Sequence, residues 1–190
     1  MPAIEFRVAR ADDASAIAGI YAPYVRDTII SFETEAPDRI EMEHRIERIG
    51  AVYPWLVAIA DGSVVGYAYA CEHRARLAYR WSVDAAVYLA ADAQRRGIGR
   101  ALYQRLFALL LKQGYVNAFA GITLPNAASV ALHEAMGFLP IGVYRQVGYK
   151  VGAWHDVGWW QLVLAEPRSD PGEPVAFESL DPAVIEGLLA

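Results

Sequence analysis

Apolar and polar residues alternate from Ile4 to Val8, the period of a strand with one covered face at a sheet edge. The period then lengthens. Ile17, Ile20 and Tyr21 recur at helical spacing behind Asp12 and Asp13, either of which is placed to cap a helix. A second helix is predicted from about Asp38 to Ile49, directly after Pro37, with Ile40, Ile46 and Ile49 on its inner side. Trp55 to Ala60 and Val64 to Ala70 are apolar runs separated by Asp61-Gly62, a dipeptide that favours a two-residue β-turn, so a hairpin is expected. Trp81 to Leu89 is a further strand. From Gly97 to Lys112, Ile98, Leu102, Leu106, Leu109 and Leu110 mark a long helix that Gly114 ends. Val116 to Leu124 is an apolar strand, Asn126 to Met136 a helix stopped by Gly137, and strands are predicted near Phe138 to Gln146 and Trp154 to Leu164. Strands and helices alternate in the centre, with a hairpin before and strands after, which implies a mixed α/β sheet.

The pattern is lost after Ala165. Pro167, Pro171, Pro174 and Pro182 mark an irregular appendage, in which Asp181-Pro182 can start one last helical turn. The chain thus divides into a domain over 1–165 and an acidic, Pro-rich tail over 166–190. The tail holds six acidic residues against one Arg and so carries the whole net charge of −5; the body ahead of it is formally neutral. A neutral body without a basic run argues against nucleic acid as partner, because phosphate contacts need clustered Lys and Arg. At 190 residues, with 55% hydrophobic and 21% charged residues, one domain with a substantial core is expected. No stretch approaches the roughly 18 apolar residues of a membrane span, and MPAIEFRVAR lacks the pattern of a signal peptide. The single cysteine, Cys71, excludes an intrachain disulfide and suits the reducing cytoplasm. It is expected to be a small core residue.

The chemistry concentrates where Val87-Tyr88-Leu89 is followed by Gln94-Arg95-Arg96-Gly97-Ile98-Gly99-Arg100. A strand runs through a Gly-rich turn into a long helix. The free N–H groups of the first turn and the positive end of the helix dipole favour a phosphate, and the glycines permit close approach. With Arg95, Arg96 and Arg100 alongside, a pyrophosphate is the natural guest. By itself the Gly-x-Gly is also the sequence of any tight strand-to-helix turn. A dinucleotide-binding Gly-x-Gly-x-x-Gly is disfavoured by Leu102, and no Gly-Lys-Ser or Gly-Lys-Thr occurs.

Gln-x-x-Gly-x-Gly after a strand resembles the coenzyme A pyrophosphate loop of the GNAT acetyltransferases. Tyr53 to Ala58 (YPWLVA), Ala78 to Trp81 (AYRW), Leu124 to Asn126 (LPN), His133 to Phe138 (HEAMGF) and Gly148 to Gly158 (GYKVGAWHDVG) resemble the phosphinothricin acetyltransferase branch. The likeness covers Tyr53 to Leu162, is looser in the N-terminal fifth and hardly extends into the tail. It implies a mixed, mostly antiparallel sheet splayed at the cofactor site and flanked by helices. It also implies transfer of the acetyl group of acetyl-CoA to the amino group of a small amino acid analogue, by a cytoplasmic homodimer. Val87, Tyr88 and Leu89 would pair with the pantetheine arm through their main chain; Gln94, Arg95, Arg96, Gly97, Ile98 and Gly99 would cradle the pyrophosphate; Asn126 would bond the arm near its end.

Acetyl transfer to an ammonium needs a base, stabilisation of an oxyanion and a proton for the departing thiolate. The branch places a Glu three residues before its Val-Tyr-Val strand as base; Asp84 stands there in this chain, one methylene shorter. A bridging water closes that gap, and Asp84→Glu is expected to retain activity. His133, seven residues after Asn126, is the matching candidate for general acid, and an alternative base. Backbone N–H groups near Leu89 are the candidate oxyanion donors. Arg74-Ala75-Arg76 resembles the substrate loop, whose guanidiniums suit carboxylate or phosphinate oxygens; Arg80 lies on the same approach. Trp154 with His155, and Phe32 with Glu33, are candidate walls. His44, His73, His133 and His155 have no metal-ligand spacing, so no metal is expected. The run Trp154 to Trp160 alternates like core or interface. Acetylation of another small amine or of a protein N-terminus, and a non-catalytic coenzyme A-binding module, are the competing readings.

Overall fold

The computed structural model describes residues 3–190. Seven strands form one sheet in the order β1-β2-β3-β4-β5-β7-β6. Strand β1 (Glu5–Val8) lies at one edge against β2 (Trp55–Ala60), which turns through Asp61-Gly62 into β3 (Ser63–Glu72). Both turn residues have positive φ, 48° and 75°, the backbone that the Asp-Gly pair was expected to adopt. Strand β4 (Ser82–Leu89) is antiparallel to β3. Its other edge runs parallel to β5 (Asn117–Leu124), but only from Ser82 to Asp84. Beyond Asp84 the two strands part, so Ala85 to Leu89 present an edge with no strand against it. The two strands fork at this point. Strands β7 (Ala153–Val163) and β6 (Leu139–Lys150) complete the other side as a long antiparallel ribbon.

Helices cover both faces. On one, α1 (Ala14–Asp27) and α2 (Arg39–Gly50) bury Ile17, Ile20, Tyr21, Val25, Met42 and Ile46 against Trp55, Val57 and Tyr67. On the other, α3 (Ile98–Gln113) buries Leu102, Leu106, Leu109 and Leu110 against Leu56, Ala68, Ala85, Ala118 and Trp160. The short α4 (Ala127–Ala135) follows β5. Asp38 caps α2 by accepting from Glu41 N at 2.8 Å, and Asn126 caps α4 by accepting from Ser129 N at 3.1 Å. Gly114 and Gly137 end α3 and α4 at φ of 94° and 93°.

Three expectations are corrected. Asp13 stands at the start of α1 but does not cap it. Its carboxylate accepts from Arg10 N at 2.8 Å and takes both guanidinium nitrogens of Arg7 at 2.7 and 2.8 Å, a charged fork that outcompetes a neutral cap. In α2 the inner stripe is Met42, Ile46 and Ile49, whereas Ile40 is exposed, because it lies off the i, i+4, i+7 row that the other three define. Nor is the tail an irregular appendage. A 3-10 turn at Phe177–Ser179 and helix α5 (Pro182–Leu189), capped by Asp181, bury Phe177 and Leu189 in the α3-side core. The tail's backbone is tied to the body by Phe177 N to Val52 O (3.0 Å), and by Gln113 Nε2 to Val175 O (2.8 Å). Four prolines remove donors, but a single aromatic anchor and side-chain donors from the body replace the missing ladder.

Candidate active site

The fork between β4 and β5 opens onto the N-terminus of α3. Between β4 and the helix, a 3-10 turn at Ala91–Ala93 leads through Gln94, Arg95 and Arg96 to Gly97. Arg95 and Gly97 both have positive φ, 59° and 79°. A non-glycine residue in that region is uncommon and marks a loop whose shape is imposed by its surroundings. The first bond of α3 is donated by Ala101 N to Gly97 O at 3.0 Å, so the amides of Ile98, Gly99 and Arg100 have no carbonyl within the helix. Those amides, the helix dipole and the exposed Arg95, Arg96 and Arg100 form one electropositive cradle. A Cβ added to Gly97 would meet nothing, so its need for glycine is conformational. A Cβ on Gly99 would touch Leu132 at 3.4 Å and Leu89 at 3.6 Å, ordinary contact. Gln94 Nε2 donates to Tyr24 Oη at 3.1 Å and Tyr24 Oη donates to Leu89 O at 2.6 Å, which ties the loop to the end of the free edge.

Asp84 lies where the strands part. It is paired in register with Cys71 on β3 and with Phe119 on β5. Its carboxylate meets His73 Nδ1 at 2.6 Å. Burial pushes the Asp84 carboxyl above its usual range, while the hydrogen bond and charge of His73 and the charge of Arg74 pull it back. The same burial pushes the Cys71 thiol up to about 12, with Asp84 adding to the effect, so this sulfur stays protonated. His73 was singled out only for lacking metal spacing. The signal that could have found it is the pairing of β3 with β4: a hairpin register that sets Cys71 opposite Asp84 brings the residue two places after Cys71 close to the same carboxylate.

His133 sits on the other face. It is 4% exposed. Its Nδ1 donates to Ser129 O at 2.8 Å, which leaves Nε2 to accept from Tyr103 Oη at 3.0 Å. Burial lowers the basicity of this ring, partly offset by the Ser129 carbonyl. Neither nitrogen is free, and the atom that reaches the fork is the hydroxyl of Tyr103, 3.5 Å from Ala85 O on the open edge of β4. Asp84 and His133 are therefore not brought together side by side.

The remaining candidates separate. Arg74 and Arg76 are exposed; the Arg74 guanidinium lies 5.2 Å from the centre of the Trp159 ring, on the His73 side. Arg80 is taken by the tail, paired with Glu173 at 2.7 Å and lying over Trp81. Glu33 accepts from both guanidinium nitrogens of Arg45 and from Tyr21 Oη, so it is a structural carboxylate, whereas the Phe32 ring covers Gly148 so closely that a Cβ there would lie 2.1 Å from it. Trp154 projects from the far end of the ribbon, stacked edge-on with Tyr149, and it is Trp159 that lines the cavity beside His73. Alternation along β7 from that residue puts Val157, Trp159 and Gln161 on one face and leaves Trp154 on the other. Asn126 spends its Oδ1 on the α4 cap, and its NH₂ group has no acceptor among the described residues.

The model of the acetyltransferase (GNAT) domain matches residues 6–159. The chain belongs to the GNAT acetyltransferase family. It is 43% identical over 172 residues, 90% of this chain and 93% of the other, to a phosphinothricin N-acetyltransferase of Streptomyces viridochromogenes. It is 34% identical over 163 residues, 84% and 94% of the two chains, to an L-methionine sulfoximine/L-methionine sulfone acetyltransferase of Salmonella typhimurium. Its fold superposes with a TM-score of 0.86 on a phosphinothricin acetyltransferase of Sinorhizobium meliloti solved with acetyl-CoA, at 36% identity and covering 93% and 97% of the chains. As a GNAT enzyme it is an acetyl-CoA-dependent N-acetyltransferase, and the electropositive cradle beside an open strand edge fits that co-substrate. The expected fold is found: a mixed, mostly antiparallel seven-stranded sheet, open at the fork and flanked by helices.

Proposed function

We propose that this enzyme moves the acetyl group of acetyl-CoA to the amino group of a small, anionic amino acid analogue of the phosphinothricin or methionine sulfoximine type. The observation that carries the reading is the Asp84 carboxylate, held at the point where β4 leaves β5 and directly behind the open edge. In this reading Gln94 to Gly99 hold the pyrophosphate, the open main chain of Val87 to Leu89 lies along the pantetheine arm, and the free amide group of Asn126 bonds the arm near the thioester. The Leu89 carbonyl is already taken by Tyr24, so Val87 carries most of that pairing. The ammonium proton leaves toward the Asp84–His73 pair at that point. The departing thiolate takes the second proton of the acceptor nitrogen, and His133 with Tyr103 forms a buried pair behind the open edge at Ala85. Arg74 and Arg76 meet the acceptor's carboxylate or phosphinate, with Trp159 as the facing wall.

A thiol-release assay with acetyl-CoA tests this against phosphinothricin, methionine sulfoximine, ordinary amino acids and a peptide N-terminus. Turnover with the amino acid analogues at a kcat/KM well above the peptide is the expected result; the reverse order would reject the acceptor class, and binding of acetyl-CoA without turnover would leave a coenzyme A-binding module. Arg76→Ala should raise KM for the acceptor far more than KM for acetyl-CoA.

The same reading makes the protein a cytoplasmic homodimer. Strand β6 is exposed along nearly its whole length, with Leu139, Ile141, Val147 and Tyr149 open on the ribbon and Trp154 beside them. So much contiguous apolar surface is characteristic of an interface, and the same patch meeting itself across a two-fold axis would cover it. Light scattering should give twice the chain mass at micromolar concentration.

A further inference from the structure

The turn after β3 carries His73 back across the sheet onto Asp84, and the ring is held on every side. Nδ1 is 2.6 Å from Asp84 Oδ1. Phe119 of β5 stacks on the imidazole with centroids 4.2 Å apart and planes 15° apart. Trp159 of β7 and Tyr79 of the following 3-10 turn meet it edge-on at 6.2 and 6.0 Å. The His73 side chain is 10% exposed and that of Asp84 28%. An ionised carboxylate only accepts, so in the neutral ring Nδ1 carries the hydrogen and Nε2 the lone pair. Nε2 has no hydrogen-bond partner among the described residues, and the ring lines a cavity of about 240 Å³ together with Arg74, Tyr144 and Trp159. An oriented imidazole beside a cavity, with one nitrogen tied to a half-buried carboxylate and the other unpaired among the described residues, is the arrangement of a general base and its orienting group.

We propose that His73 is a catalytic residue of this enzyme, its Nε2 taking the proton from the acceptor's ammonium, and that Asp84 is the positioning residue that holds the ring and stabilises the imidazolium. The inference rests on the acetyl-transfer reading above and deepens it. In the step, R–NH₃⁺ gives one proton to Nε2 and becomes a neutral amine. Its lone pair forms the N–C bond to the thioester carbonyl carbon, and the C–S bond breaks with its electron pair on sulfur. A second proton from the new amide nitrogen ends on that sulfur, so the products are the N-acetyl compound and the free thiol. The imidazolium then returns its proton to solvent. The shorter side chain of Asp84 is thereby accounted for: it bonds an imidazole, not the substrate. The titratable or charged groups that bear on the ring are Asp84 from β4, Cys71 opposite it on β3, its chain neighbours Glu72 and Arg74, Tyr79, and Tyr144 across the cavity; β5 and β7 offer only the uncharged Phe119 and Trp159.

The test compares parent, His73→Gln and Asp84→Asn, with phosphinothricin as acceptor and acetyl-CoA affinity measured by calorimetry. His73→Gln should lower kcat on the order of 10²–10⁴-fold, keep acetyl-CoA affinity and abolish the rising limb of kcat/KM with pH. Asp84→Asn should lower kcat with little change in the KM of either substrate, because the carboxylate holds the imidazole and touches neither substrate. Added imidazole should restore part of the turnover of His73→Gly. A His73→Gln enzyme within about threefold of the parent, with its limb intact, would overturn the proposal and return the proton to Asp84. Should the variants fail to bind acetyl-CoA, ¹⁵N spectra of the parent decide: a neutral His73 protonated at Nδ1 supports the dyad, and one protonated at Nε2 sinks it. A parent that acetylates no amine in the panel fails the acetyl-transfer reading and the dyad with it, a result distinct from a working parent indifferent to His73.

Discussion

Two histidines lie on opposite faces of the fork between β4 and β5, and the fold treats them in opposite ways. His133, on α4, is closed into the core, with Nδ1 bonded to Ser129 O and Nε2 to Tyr103 Oη. His73, after β3, is clamped by aromatic rings and a carboxylate but keeps one nitrogen clear. Both rings are fixed in orientation. They differ in what the fixing partner is: a backbone carbonyl and a phenol on one side, which between them occupy both nitrogens, and a carboxylate on the other, which occupies one. A residue's place in a motif thus does not decide whether its lone pair is available.

The comparison is broken most directly at Asp84. Asp84→Asn should bind acetyl-CoA normally and lose roughly 10²–10⁴-fold in kcat, seen in the thiol-release assay. A second readout follows from linkage. Because burial raises the folded-state value of this carboxyl, its contribution to stability is fully present below the ordinary Asp value and is lost as pH rises through the folded value. At neutral pH the ionised group therefore costs stability, and Asp84→Asn should raise the thermal midpoint there while turnover falls, the trade expected of a functional carboxylate.

Tyr103→Phe tests the other side. It leaves Nε2 of a buried His133 without a donor, which costs about 1–3 kcal/mol and should lower the midpoint by several degrees. A folded Tyr103→Phe enzyme with wild-type stability would mean that the His133 pocket is less committed than its hydrogen bonds indicate. Asp84→Glu has the smallest expected effect and now the opposite sign to the sequence-based expectation. At 2.6 Å from Nδ1 there is no room for another methylene unless the imidazole slides off Phe119, so kcat should fall about tenfold rather than hold. A rise in kcat would favour direct proton removal by the longer carboxylate.

Much of the architecture was legible because it is written in local codes. Asp61-Gly62, Asp38, Asn126, Gly114 and Gly137 each act through their own backbone or its nearest amides, and each does in the structure what its type predicts. The Gly97-Ile98-Gly99 turn is of the same kind. Asp13 was misread as a helix cap because its partner Arg7 comes from the strand before it. The start of α5 was legible in Asp181-Pro182, but the docking of the tail was not, because Phe177 is an isolated apolar residue among prolines, without a period to declare it.

By itself, then, the sequence determined the elements, the helix ends, the Gly-rich anion turn and the family pattern, all of which depend on residues within a few positions of one another. Tertiary structure alone decided which carboxylates and imidazoles would meet. Asp84 is eleven residues from His73, and Phe119 is a further thirty-five on. Only the register of β3 on β4, and the three-residue parallel contact of β4 with β5, set these side chains on one face. The same geometry left Arg80 to the tail, gave Trp159 the place expected of Trp154, and shut His133 away in the core. Proton affinity and access depend on through-space neighbours and burial, and neither has a period along the chain.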